Sequence, residues 1–183
     1  MDTGCIDIML ILDADLLGRR YPDPSQNPHR PTPIGADEAF IVAVPRRVAP
    51  HGQASDTLAL YAHRGDQIHW RALALSGDVS HALLYRIETD EQAGDADTAI
   101  ASTAVMLQDD CSVPIPDPAE PTRYDASTAR RALRWRCDIA RPGRLHCGLS
   151  FYLVRQHSIE GHLVTSGYYR WDCTLNIGEF PAG

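Results

Sequence analysis

The chain has 183 residues, 44% of them hydrophobic and 22% charged, which suits one domain with a sizeable core and excludes a wholly disordered chain. Its formal net charge of −7 argues against generic binding to nucleic acid or to an anionic membrane, since both need a basic surface. All seventeen basic residues are arginine, a choice that suits carboxylate recognition but is also what a coding bias toward Arg and Ala produces.

The first element is a short apolar run, Ile6-Asp7-Ile8-Met9-Leu10-Ile11-Leu12, which ends at Asp13-Ala14-Asp15. It is only about seven residues long and its flanks are acidic, so neither a secretion signal nor a membrane span of ~20 apolar residues is expected. Five cysteines stand at 5, 111, 137, 147 and 173. An odd count without an export signal points to reduced thiols and a cytoplasmic protein.

Asp13 is placed to cap one or two helical turns over Ala14 to Arg20. A proline-punctuated loop follows, from Tyr21-Pro22-Asp23-Pro24-Ser25 to Pro31-Thr32-Pro33. Phe40 to Val44 is a short buried strand. Leu58, Leu60 and Ala62 alternate up to a turn at Arg64-Gly65-Asp66, and Ile68, Trp70 and Ala72 continue beyond it. Ser76-Gly77-Asp78 is another turn, and Ala82 to Ile87 another strand. The segment 92–97 is polar and small. Pro114, Pro116, Pro118 and Pro121 mark a long irregular connection, because proline cannot donate to a sheet ladder. Asp125 to Arg131 reads as a second short helix.

Period-two alternation is clearest in the last third. Leu133, Trp135, Cys137 and Ile139 share one face, then Arg141-Pro142-Gly143-Arg144 reads as a turn. Leu145, Cys147, Leu149, Phe151 and Leu153 follow, with a turn near Glu160-Gly161. Tyr169, Trp171, Cys173, Leu175 and Ile177 complete what reads as an antiparallel meander. The expected fold is all-β: a single-domain antiparallel β-sandwich over 1–183, jelly-roll-like, with little helix.

Three blocks carry a resemblance that spans nearly the whole chain. They are the first strand into Asp13-Ala14-Asp15 with the Tyr21-Pro22-x-Pro24-Ser25 loop, then Gly65-Asp66-x-Ile68-x-Trp70-Arg71, then Gly167-Tyr168-Tyr169-x-Trp171-Asp172. In this order and spacing the chain resembles the AidA/PixA family of bacterial inclusion-body proteins. It departs at Cys173, where the family pattern leads one to expect proline, a difference that bears on the end of the last strand. The resemblance implies a cytoplasmic β-sandwich, a homodimer, with links to inclusion bodies, quorum sensing and host interaction. It supplies no catalytic residues, and neither an enzyme nor a cofactor is expected.

Several features invite a site. Arg64-Gly65-Asp66 spells an adhesion tripeptide, but a tight turn with a positive-φ glycine explains it. Asp13 and Asp15 are the metal candidates, with Asp7, Asp23 or Asp37 as helpers; a calcium ion needs 6–8 oxygens, and a strand end capping a helix accounts for the pair. None of the eight histidines has zinc-type spacing, although His63 and His69 could converge across their turn; a solvated strand face explains them as well. Cys137 and Cys147 flank the Pro142-Gly143 turn, and either a disulfide or two buried thiols would fit. No phosphate loop, nucleophile elbow or Cys-x-x-Cys occurs. Aromatic faces beside Asp and Arg suit a sugar, so Tyr168, Arg170, Asp172 and Trp70 are the ligand-binding candidates, against core packing for the tryptophans. A lectin-like glycan-binding module is therefore the alternative function.

Overall fold

The computed structural model describes residues 4–45, 48–75, 80–89, 99–100, 104–116, 120, 124–156 and 162–180; for 109–116 and 124–132 only the backbone is described. Among the described residues, ten strands and one helix follow in chain order: β1 (Cys5–Leu12), α1 (Ala14–Arg20), β2 (Thr32–Pro33), β3 (Ala39–Val44), β4 (Thr57–Tyr61), β5 (Gln67–Ala74), β6 (Ser80–Thr89), β7 (Val105–Pro116), β8 (Tyr124–Asp138), β9 (Gly143–Gln156) and β10 (Leu163–Gly178). They form two sheets. Sheet A runs β3-β1-β5-β8-β7, and sheet B runs β2-β10-β9-β6, with β4 also on β10.

The all-β sandwich expected from alternation is what forms. Alternate residues of β1, β5, β9 and β10 enter one shared core, including Leu10, Trp70, Leu149, Phe151, Tyr169 and Trp171, all at most 1% exposed. Phe151 and Tyr169 stack face to face across β9 and β10, with ring centroids 5.6 Å apart. Helix α1 starts as expected: the Asp13 side chain accepts from the backbone N–H groups of Asp15 and Leu16, both at 2.9 Å.

Connectivity differs from expectation. The sheets are mixed, not purely antiparallel, because β1 pairs with β5 in parallel and β10 pairs with both β2 and β4 in parallel. The last three strands are not one meander: β8 joins β5 and β7 in sheet A, and only β9 and β10 form a hairpin. The turns at 64–66 and 141–144 therefore carry the chain from one sheet to the other. Alternation reports which residues face inward; it is the same whichever sheet a strand joins.

Pro114 and Pro116 lie within β7, not in an irregular connection. They fit because β7 is the edge strand of sheet A and its register shifts between Val113 and Ile115, so no ladder donor is missed at Pro114. The short helix expected over Asp125 to Arg131 is likewise strand, held by backbone pairing from Asp125↔Ile115 to Arg131↔Asp110. The turn at 76–78 and the polar stretch 92–97 lie outside the described residues. Among the described residues no helix is long and apolar enough to cross a membrane.

The Arg64-Gly65-Asp66 turn is structural. Gly65 takes φ of +90°. Asp66 is 8% exposed, and its carboxylate accepts from the backbone N–H of Gly4 and of His63, both at 2.8 Å. That carboxylate is therefore engaged in pinning the start of β1 to the turn.

Candidate functional site

The outer face of sheet B carries a ladder of cross-strand rows. Even-numbered residues of β9 and β10 point outward because their odd neighbours fill the core. Register then sets Tyr152 beside Tyr168, Arg86 and Arg170 on either side of Ser150, Glu88 and Asp172 on either side of Gly148, and His146 beside Thr174. A bulge in β6 between Leu84 and Arg86 brings Tyr85 and Arg86 to this face in succession.

One end is aromatic. Tyr85, Tyr152 and Tyr168 form a triad with ring centroids 5.7–6.0 Å apart. The Tyr85 hydroxyl donates to the Pro28 carbonyl at 2.7 Å, and burial raises its pKa. The proline-rich loop closes this end, since the Tyr168 N–H donates to the Ser25 carbonyl at 2.9 Å and Pro24 packs where a Cβ on Gly167 would lie. Two of the sequence blocks, the proline loop and Gly167-Tyr168, are thus one contact surface.

The other end is charged. Arg170 Nε donates to Asp172 Oδ1 at 3.0 Å, and Arg170 Nη1 donates to Glu88 Oε2. Burial works against the Arg170 charge, but the two carboxylates more than offset it and hold its pKa above the usual value. The guanidinium lies over Gly148, where any Cβ would collide with it. Around it opens a polar cavity of about 300 Å³ lined by Asp56, His146, Gly148, Arg170, Asp172 and Thr174. Thr174 Oγ1 and His146 Nδ1 stand 3.1 Å apart within it. The arrangement offers fixed donors and acceptors beside a stacking surface, as a polyhydroxylated ligand requires.

Of the residues singled out from sequence, Tyr168, Arg170 and Asp172 come together on this face. Trp70 sits instead on β5 of the other sheet, where it is fully buried in the core. Asp13 serves as the helix cap, and among the described residues neither it nor Asp15 joins a group of three potential metal ligands. His63 and His69 do not converge: His63 is exposed against the Phe180 ring, whereas His69 lies on the outer face of sheet A, covered by its neighbours to 5% exposure. Cys137 and Cys147 are buried and not bonded to each other, and burial pushes the Cys137 pKa up to about 12. Cys147 stands opposite Cys173, and β10 runs on through that position to Gly178. Tyr85, Glu88 and His146 escape the sequence reading because only cross-strand register brings them in.

Fold and site together define a two-sheet β-sandwich with one polar, aromatic-ended sheet face. The chain belongs to the PixA family, described as inclusion body protein, whose model matches residues 4–177. Its fold is similar to the crystal structure of an inclusion body protein of that family from Burkholderia cenocepacia J2315, at 17% identity and a TM-score of 0.77, covering 97% of this chain and 98% of that one. Among curated proteins none matches.

Proposed function

We propose that the chain is a non-enzymatic bacterial accessory protein that accumulates as cytoplasmic inclusions, made as cell density rises and assembled from homodimers. Its membership of the inclusion body protein family over 4–177 is the observation that carries this reading. The outer face of sheet A supports self-association. There, register aligns Phe40, Ile11 and Leu73 in one row and Val42 and Met9 in the next. Leu73 is 44% exposed, and such a face suits a second copy of the chain. A role in host interaction extends the same reading. Light scattering of purified protein and electron microscopy of expressing cells test it. Dimers in solution and inclusions in cells are expected, with both lost in Leu73→Asp; a monomer at all concentrations and a diffuse distribution in cells overturn it.

A second reading, a lectin-like module, is favoured by the Tyr85-Tyr152-Tyr168 triad beside the Arg170 cavity. A sugar at a hundredfold its Kd adds about 2.7 kcal/mol of stability. For a domain of this size that raises Tm by roughly 5–11 °C. Gly148→Ala should abolish the shift by displacing the Arg170 guanidinium, while leaving the unliganded Tm nearly unchanged because only a flexible side-chain end must move. A panel of sugars that shifts neither protein removes this reading.

A further inference from the structure

We propose that Cys5, Asp7 and His69 form a site for a thiophilic divalent cation of the zinc class on the outer face of sheet A. The three residues are assembled by strand geometry. Cys5 and Asp7 are alternate residues of β1 and so share a face, and the parallel register sets His69 of β5 directly beside Asp7. One ligand atom from each, the Cys5 sulfur, an Asp7 carboxylate oxygen and a His69 ring nitrogen, lies within 4.8 Å of the others. The Cys5 Sγ to His69 Nδ1 distance is 2.9 Å and the His69 Nδ1 to Asp7 Oδ1 distance is 3.9 Å.

The donor set decides the ion. Sulfur, imidazole nitrogen and one carboxylate oxygen suit zinc and related borderline ions, whereas calcium and magnesium want oxygen alone. Three protein ligands leave a fourth tetrahedral position, and it faces solvent because Cys5 is exposed and the Asp7 side chain 41% exposed. Two independent features point the same way. The His69 side chain is only 6% exposed yet aims Nδ1 at the Cys5 sulfur. Asp7 Oδ1 is buried and, among the described residues, accepts no hydrogen bond, with Arg71 Nη2 3.5 Å away. A buried carboxylate oxygen with unused lone pairs is a ligand atom already held in place.

Arg134 competes with the cation. Its Nη1 lies 3.2 Å from His69 Nδ1, on the nitrogen that must face the metal. On loading, the Cys5 thiol gives its proton to the buffer, the sulfur–metal bond forms and the Arg134 contact is released. Binding is therefore tighter at higher pH and stronger without the Arg134 guanidinium.

Titration of the untagged protein with Co²⁺ alone tests the site. One equivalent is expected to raise a thiolate-to-cobalt charge-transfer band in the near ultraviolet, which Zn²⁺ then abolishes. Cys5→Ser should remove the band, Asp7→Asn should weaken binding, and Arg134→Gln should tighten it. Cys5 is exposed, so its serine variant folds as the wild type does. No band in the wild type, or a band that survives Cys5→Ser, overturns the proposal, as does weaker binding in Arg134→Gln.

Discussion

Trp70→Ala is expected to cost about 3–5 kcal/mol, the usual range for emptying a tryptophan site in a core. For a domain of this size that lowers Tm by roughly 6–20 °C, measurable by calorimetry. Trp70 has no exposed surface and sits in register between Ile8 of β1 and Trp135 of β8, so its loss leaves a void that three strands must close. Trp135 raises the stakes, because its indole N–H donates to the Leu84 carbonyl at 3.2 Å and so ties sheet A to β6 of sheet B. Arg170→Ala is the contrast. Its side chain is 34% exposed and its partners more so, so about 1 kcal/mol or less is expected. A Trp70→Ala protein with unchanged Tm would mean that the indole is not in the core.

Glu38→Ala carries the second large effect. The Glu38 side chain is 2% exposed and accepts from Arg20 Nη1 at 2.6 Å, the Tyr21 hydroxyl at 2.7 Å and the Gly35 N–H at 2.6 Å. Removing it strands three donors at the end of α1 and in the loop that follows. With Arg20 half exposed and its share screened, about 2–4 kcal/mol is expected, or roughly 4–16 °C in Tm. The consequence reaches the sheet B face, since the same loop delivers the Pro28 and Ser25 carbonyls to Tyr85 and Tyr168. Faster backbone hydrogen exchange at Tyr168 in Glu38→Ala would register that coupling.

The same residue sets a pH dependence. Burial alone would raise the Glu38 pKa, but the bonds from Arg20, Tyr21 and Gly35 outweigh it and hold the carboxyl below its ordinary value of 4.5. A carboxyl with a lower pKa folded than unfolded contributes stability above the unfolded value and loses it as pH falls through the folded one. Melting curves from pH 6 downward should therefore fall more steeply in the wild type than in Glu38→Gln below roughly pH 4.5. Parallel curves would remove Glu38 as the cause.

Much of the fold can be read from the chain. The inward sets of β9 and β10, the Asp13 cap and the Gly65 turn are local patterns, fixed by side-chain period and backbone dihedrals. The wet face bearing Tyr168, Arg170 and Asp172 follows from the same alternation. What alternation cannot encode is the partner of each strand. The pairing of β8 with β5 and β7 turned an expected helix and a proline-rich connection into sheet, because ladder hydrogen bonds outweigh weak local preference. Trp70 was legible as apolar and aromatic, but its depth depends on Ile8 and Trp135 from distant positions.

By itself, then, the sequence determined the class of fold, its kinship with inclusion body proteins and which residues of β9 and β10 face inward, since all of these are written in spacing and short motifs. Tertiary structure alone decided that three tyrosines from three strands form one patch, that Arg170 lies between Glu88 and Asp172, and that Cys5, Asp7 and His69 meet. Residues 64 positions apart become neighbours only when β1 and β5 pair in parallel, and that register is a property of the packed sheets.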